Sequence, residues 1–197
     1  MNTSQIIISP RYVRQMRGLG AREATVMVAV AIGCVPMALA LGNEALTAAA
    51  VRDRYSLPAE PEAVLSIAKA QELLGKSPGM PQSVAIAGRV GTRQGSPFLE
   101  GKASFFLIEI VDDPHASKPG HDSDDCPFCK KRLAKLPIAA VQFVDAAGAV
   151  IPHDSRGLFG LEKGREVVVR GSGVFDPKFP IPVVQLTADG IHVRPKQ

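Results

Sequence analysis

The sequence predicts a mainly β domain over roughly residues 82–195, and three observations carry that prediction. Sixteen prolines and eighteen glycines break the chain too often for a helical bundle. With no tryptophan, two tyrosines and eight phenylalanines, the composition fits short elements joined by turns. Several short runs alternate apolar with small or polar residues, the period of a strand with one buried face. A chain of 197 residues suits one such domain plus an address segment, and is too short for two enzyme-sized domains.

The address segment comes first. No charged residue lies between Ala24 and Asn43, and Val26 to Ile32 is apolar on every side, unlike an amphipathic helix of a soluble protein. Arg11, Arg14, Arg17 and Arg22 precede this run and Glu44 is the first charge after it, which orients the N-terminus to the cytoplasm and the rest of the chain outside. Residues 1–43 are therefore expected to be a signal peptide or membrane anchor. At about 20 residues, the run sits at the lower limit for spanning a bilayer, so retention as an anchor stays open. Gly33 and Pro36 interrupt it, and Ala38-Leu39-Ala40 offers a small-x-small cleavage site. Cys34 after Ile32-Gly33 is placed like a lipid acceptor, but Ala31 stands where leucine is usual and the stretch that follows is apolar. The expected location is the bacterial cell envelope, periplasmic or extracellular, with a membrane as partner if the leader is uncleaved. The leader also explains the formal charge of +4, because the excess arginines belong to it; the domain is near neutral and nucleic acid is not an expected partner.

Residues 44–81 read as a partly helical linker, with a helix over Glu60–Leu74 that places Val64, Ile67, Ala68 and Leu74 on one stripe and Gly75 at its end. Strands follow over Val84–Val90 and Ser104–Val111. Ala140–Val144 and Ala149–Ile151 form a hairpin about a turn at Asp145–Gly148. A short helix fits Asp154–Glu162, capped by Asp154 or Ser155. Glu166–Arg170 is the next strand, and Gly171 and Gly173 suit a bulge or barrel corner. Val183–Thr187, a turn at Ala188–Gly190 and Ile191–Arg194 complete the domain.

That order, three strands, a short helix and two strands, resembles the OB-fold, a small five-stranded Greek-key barrel. Leu161-Glu-Lys-Gly-Arg-Glu-Val-Val-Val-Arg-Gly171 is similar to the passage from its helix to its fourth strand. The resemblance covers roughly residues 82–195 and implies an OB-fold-like barrel with one short helix, preceded by the hydrophobic helix and the helical linker. It also implies oligosaccharide or nucleic-acid binding on the barrel face. No exposed aromatic run supports that function, since Phe105, Phe106 and Phe143 sit in apolar strands where core packing is the ordinary reading.

Chemistry concentrates in one insertion, 112–137, far longer than a hairpin loop of about 2–5 residues. It contains His115, His121, Cys126 and Cys129. A C-x-x-C turn aims two sulfurs at one ion and two imidazoles complete a tetrahedral shell, for which zinc is the natural occupant. Lys130 and Lys131 favour thiolate, while Asp122, Asp124 and Asp125 are candidate acceptors for the imidazole N–H groups or plain solvated charges. Outside the cytosol the same cysteines are also candidates for a disulfide, inert or catalytic. Cys126-Pro-Phe-Cys129 resembles the active-site turn of glutaredoxin-like proteins, and Ile181-Pro182-Val183 is similar to their proline before a strand. The chain departs from them in Pro137, which stops any helix soon after Cys129, and in having no closing helix. Lys130 after Cys129, where histidine would be needed, argues against c-type haem.

His153 and His192 read as surface residues, and the chain has no nucleophile elbow, phosphate loop or paired-carboxylate motif. The expectation is an exported binding or structural module with a His2Cys2 zinc loop. The alternatives are an exported thiol–disulfide protein using Cys126 and Cys129, or a glycan- or nucleic-acid-binding barrel face.

Overall fold

The computed structural model describes residues 47–111 and 126–196. The expected leader, with Cys34 and Ala38-Leu39-Ala40, lies outside the described residues, as does the segment 112–125. The described chain is mainly β. Its elements run α1 (Ala48–Tyr55), β1 (Val64–Ser66), α2 (Ile67–Leu74), β2 (Gln82–Val90), β3 (Ser104–Ile108), α3 (Pro127–Leu133), β4 (Ile138–Phe143), α4 (Ser155–Phe159), β5 (Glu166–Val174) and β6 (Val184–Val193).

Five strands close into a barrel. β2 pairs antiparallel with β3, β3 antiparallel with β4, β4 parallel with β6, β6 antiparallel with β5, and β5 returns antiparallel to β2. Closure removes the free sheet edges that an open five-stranded sheet would leave. One edge of β2 is divided between two partners, because only Arg89 and Val90 reach β3 while Ala85–Ala87 pair in parallel with β1. β1 thus fills the gap where β2 and β3 diverge.

The helix expected over Glu60–Leu74 begins later, at Ile67. Ser66 ends the extended stretch and caps the helix, its hydroxyl accepting from the Lys69 N–H at 3.3 Å. Val64, which the helical stripe would have used, pairs with Ala85 of β2 instead, and Leu65 with Ile86. The remaining turns bury Ile67, Ala70 and Leu74, and these join Val51 and Tyr55 of α1 in the same core as Phe105, Phe143 and Leu186 of the barrel. α1 and α2 therefore each contribute side chains to the barrel's core.

α1 is fixed against α4 by side chains reaching across the fold. Arg52 donates through Nε to the Leu158 carbonyl at 2.6 Å and through a terminal nitrogen to that of Gly157 at 3.0 Å, satisfying carbonyls that the end of α4 leaves open. The Tyr55 hydroxyl donates to the Val144 carbonyl at 2.8 Å. α4 itself stops at Gly160, whose left-handed conformation (φ 64°) closes the helix.

Asp154 is the N-cap of α4. Its carboxylate accepts from the Arg156 backbone N–H at 2.9 Å and from the Arg156 guanidinium at 2.6 and 2.9 Å. The guanidinium hydrogen bond is the main reason its pKa falls from 3.8 to about 2. A carboxylate depressed in the folded state stabilises fully above its unfolded pKa, and that contribution disappears as pH falls through the folded one. Asp154→Ala is thus expected to cost about 1 kcal/mol at neutral pH, the usual value of a cap. In urea unfolding curves the gap between variant and wild type should narrow as pH drops from 3.8 towards about 2. A gap of constant size across that window would show that the carboxylate charge is irrelevant.

Candidate functional site

The return limb of the long insertion is a helix. Cys126 stands immediately before α3, Pro127 opens it and Cys129 lies in its first turn. Proline suits that position because its fixed φ is helical and the N–H it lacks would have had no partner in the helix. Residues three apart share a helix face, so the backbone brings Cys126 and Cys129 to one side of the first turn. Cys126 is half-buried and Cys129 is 7 % exposed. The sequence did not predict this helix. Its pointers were Pro127 and the basic run Lys130-Lys131-Arg132 towards its end.

α3 is tied to the barrel at its exit. Lys135 and Leu136 donate to the Arg132 and Leu133 carbonyls, and Pro137 then leads into β4. The Leu136 carbonyl accepts two hydrogen bonds from Arg93, at 2.8 and 3.2 Å, and the Glu109 N–H donates to the Pro137 carbonyl at 3.1 Å. The Glu109 carboxylate in turn accepts from the Ala68 N–H at the start of α2, 2.8 Å away. A cleft of about 170 Å³ opens between α3 and the barrel. Ile108, Cys129, Leu133 and Leu136 contribute to its apolar lining, and Arg89, Arg132, Lys163 and Glu109 carry its charges.

Beyond Arg89 runs a ladder of charges. Arg89 meets Glu166 at 3.2 Å, Glu166 meets Arg194 at 3.4 Å, and Arg194 meets Glu60 at 2.6 Å. The Arg194 hydrogen bond lowers the Glu60 pKa, and Glu60 in turn raises that of Arg194. These side chains are partly solvated, so the ladder positions the segment before β1 more than it stabilises the fold.

Of the four residues expected to bind metal, Cys126 and Cys129 are brought together at α3, whereas His115 and His121 lie outside the described residues. Asp122, Asp124 and Asp125 lie outside them too. Among the described residues no group of three or more His, Cys, Asp or Glu side chains is placed to hold a metal ion. His192 is half-buried on β6 with Nδ1 3.3 Å from the Leu57 carbonyl oxygen, and His153 follows Pro152 in a turn. Phe105 and Phe143 are fully buried, while Phe106 is only half-buried. Sequence reasoning missed the exposure of Phe179 and Ile181, at 57 % and 67 %, in the loop between β5 and β6. Their alternation with Pro180 and Pro182 was the available signal, since neither proline can donate to a strand.

The fold defines a closed five-stranded barrel with short helices packed against it, in which one insertion carries the cysteine pair. No family model matches the chain, and no curated protein matches it. Among solved structures, a putative aspartyl-tRNA synthetase from Leishmania major Friedlin is similar at 10 % identity and a TM-score of 0.36. The match covers 71 % of this chain and 22 % of that one, and a likeness of this degree adds nothing to the fold described above. Among the described residues no helix is long and apolar enough to cross a membrane.

Proposed function

We propose that this chain is an exported binding or structural module of the bacterial cell envelope: an OB-fold-like barrel whose long loop is held by zinc on His115, His121, Cys126 and Cys129. The barrel's pairing order, with α4 between its third and fourth strands, supports the OB-like reading. The observation that carries the metal reading is the placement of Cys126 and Cys129 on one side of the first turn of α3. Two sulfurs so placed form half of a tetrahedral site, and the donor set as a whole suits a borderline-soft ion. Bound zinc would supply the cross-link that ties the loop to α3, since a stretch so poor in apolar groups has little else to order it. Neutral imidazoles and ionised thiols are the forms that bind, so occupancy should fall under acid.

The test is metal analysis of the mature protein. It should contain about one zinc per chain, lost in a Cys126→Ser, Cys129→Ser variant and reduced in His115→Ala or His121→Ala. Metal-free protein with an easily reduced Cys126–Cys129 disulfide and insulin-reductase activity would replace this reading with the thiol–disulfide one. That rival is favoured by one observation, the half-exposed Cys126 ahead of a buried Cys129, which suits an attacking thiol beside a resolving one. Retention on an oligosaccharide or nucleic-acid matrix that survives loss of both cysteines would instead place binding on the barrel face.

A further inference from the structure

Among the described residues five large apolar side chains are exposed, and four of them stand on two segments joined by a hydrogen bond. Leu73 and Met80 belong to the end of α2 and the turn that leads into β2, and Phe179 and Ile181 to the loop between β5 and β6. The Gly79 N–H donates to the Phe175 carbonyl at 3.3 Å, which ties the turn to the loop, and Gln82 pairs with Gly173 just beyond them. Pro78, Pro81, Pro177, Pro180 and Pro182 stiffen both stretches. Most of their backbone donors are engaged locally. Lys76 and Ser77 donate to the Leu73 and Leu74 carbonyls, Met80 to that of Ser77, and Phe179 to that of Asp176, while the Asp176 carboxylate accepts from the Lys178 N–H at 2.9 Å.

We propose that this end of the barrel inserts into the headgroup layer of a phospholipid bilayer. An exposed apolar patch rimmed by polar residues marks a surface for a membrane or for a protein, and two features select the membrane. Four side chains so exposed present on the order of 400 Å², about half of the roughly 800 Å² that each partner of a stable protein complex buries. A protein partner also draws about one hydrogen bond per 100–200 Å² of contact, whereas the prolines and the locally engaged N–H groups leave few donors to offer. The same trait suits lipid, where a backbone group that leaves water finds a partner only within its own chain. Lys76 and Lys178 flank the patch with stems long enough to keep their ammonium groups among the headgroups. Glu72 and Asp176 match them in number, so apolar burial drives the insertion and charge does not. The proposal goes beyond the zinc loop and does not rest on it.

The chain has no tryptophan, so a Phe179→Trp variant of the protein carries a single fluorescent reporter in the patch. Its emission is followed as vesicles of phosphatidylethanolamine and phosphatidylglycerol are added, with and without brominated acyl chains. The expected result is a blue shift that saturates with lipid, quenching by the brominated chains and protection from acrylamide. A Leu99→Trp variant, whose reporter sits in the loop between β2 and β3, should show none of the three. Adding Met80→Asp and Ile181→Asp to the Phe179→Trp variant should weaken the partition at least about tenfold, the order expected when two apolar side chains are no longer buried. Circular dichroism and melting temperature should stay those of the Phe179→Trp protein, because both positions are exposed. A Phe179→Trp reporter that remains unshifted and open to acrylamide at saturating lipid, or a Leu99→Trp reporter that responds equally, overturns the proposal. So does a blue shift without lipid that grows with protein concentration, which would assign the patch to a second copy of the chain.

Discussion

A Gly171→Ala variant is expected to be severely destabilised, unfolding at a urea midpoint far below that of the wild type. Gly171 lies where β5 meets β6 out of step: Arg170 pairs with Gly190 and Gly171 with Ala188, leaving Asp189 as an extra residue on β6. Such a bulge bends the strand and sharpens its twist, as closing a small barrel requires. A methyl group on Gly171 would overlap the Thr187 carbonyl oxygen and approach the Ala188 Cα to 2.8 Å. Those atoms belong to the ladder itself and cannot turn aside. The loss should exceed about 3 kcal/mol, the upper end of ordinary overpacking, against a typical total of about 5–15 kcal/mol. Gly173→Ala is the comparison, because its methyl would meet side-chain atoms, Val84 Cγ2 at 2.8 Å and Leu74 Cδ1 at 3.1 Å, which have some freedom to shift. Urea midpoints should therefore rank wild type, then Gly173→Ala, then Gly171→Ala. A Gly171→Ala protein as stable as wild type would mean that the strands close without this bulge.

The same bulge shows how far the sequence was legible. Gly171 and Gly173 pointed to a bulge or barrel corner, whereas Ala188-Asp189-Gly190 read as a turn between two strands. Taken alone, those three residues have the chemistry of a turn between two strands, whereas β6 runs unbroken from Val184 to Val193. One extra residue is absorbed when a paired strand supplies the other half of the bulge, and pairing is invisible to local propensity. Asp189 shows the consequence: its exposed carboxylate accepts from Arg170 Nε at 2.7 Å, a cross-strand pair between β5 and β6. The return limb at Ala149–Ile151 is present as expected, though shorter than a regular strand. Its backbone bonds to Phe143 and Asp145 are present, but only the Val144–Val150 bridge is regular, because the chain leaves at once for α4.

β1 could not be read at all, since Val64 satisfies a helical stripe and a strand equally well over so short a run. Only the vacancy beside β2 decides between them, and that is a property of the closed barrel. At the cysteines the sequence showed which residues carry chemistry and not what surrounds them. The cations of the cleft are Arg89, Arg132 and Lys163, separated by tens of residues and drawn together only by the barrel's pairing and the docking of α3.

Phe143→Ala should lower the melting temperature by roughly 10–15 °C. Phe143 has no exposed surface, and its ring lies 4.8 Å from that of Phe159, 5.1 Å from Tyr55 and 6.4 Å from Phe105, centroid to centroid. It therefore joins two barrel strands to α1 and to the end of α4. Truncating a buried phenylalanine costs about 3–5 kcal/mol, and in a domain of this size each kcal/mol shifts the midpoint by about 2–4 °C. A double-mutant cycle with Tyr55→Leu then decides what α1 is. Tyr55 meets Phe143 edge-on at 75°, a geometry that contributes about 0.5–1.5 kcal/mol beyond area burial. If α1 belongs to the core, the two substitutions should be less than additive by about that amount. Strict additivity, with Tyr55→Leu alone near neutral, would make α1 part of a tether, with a barrel that folds without it.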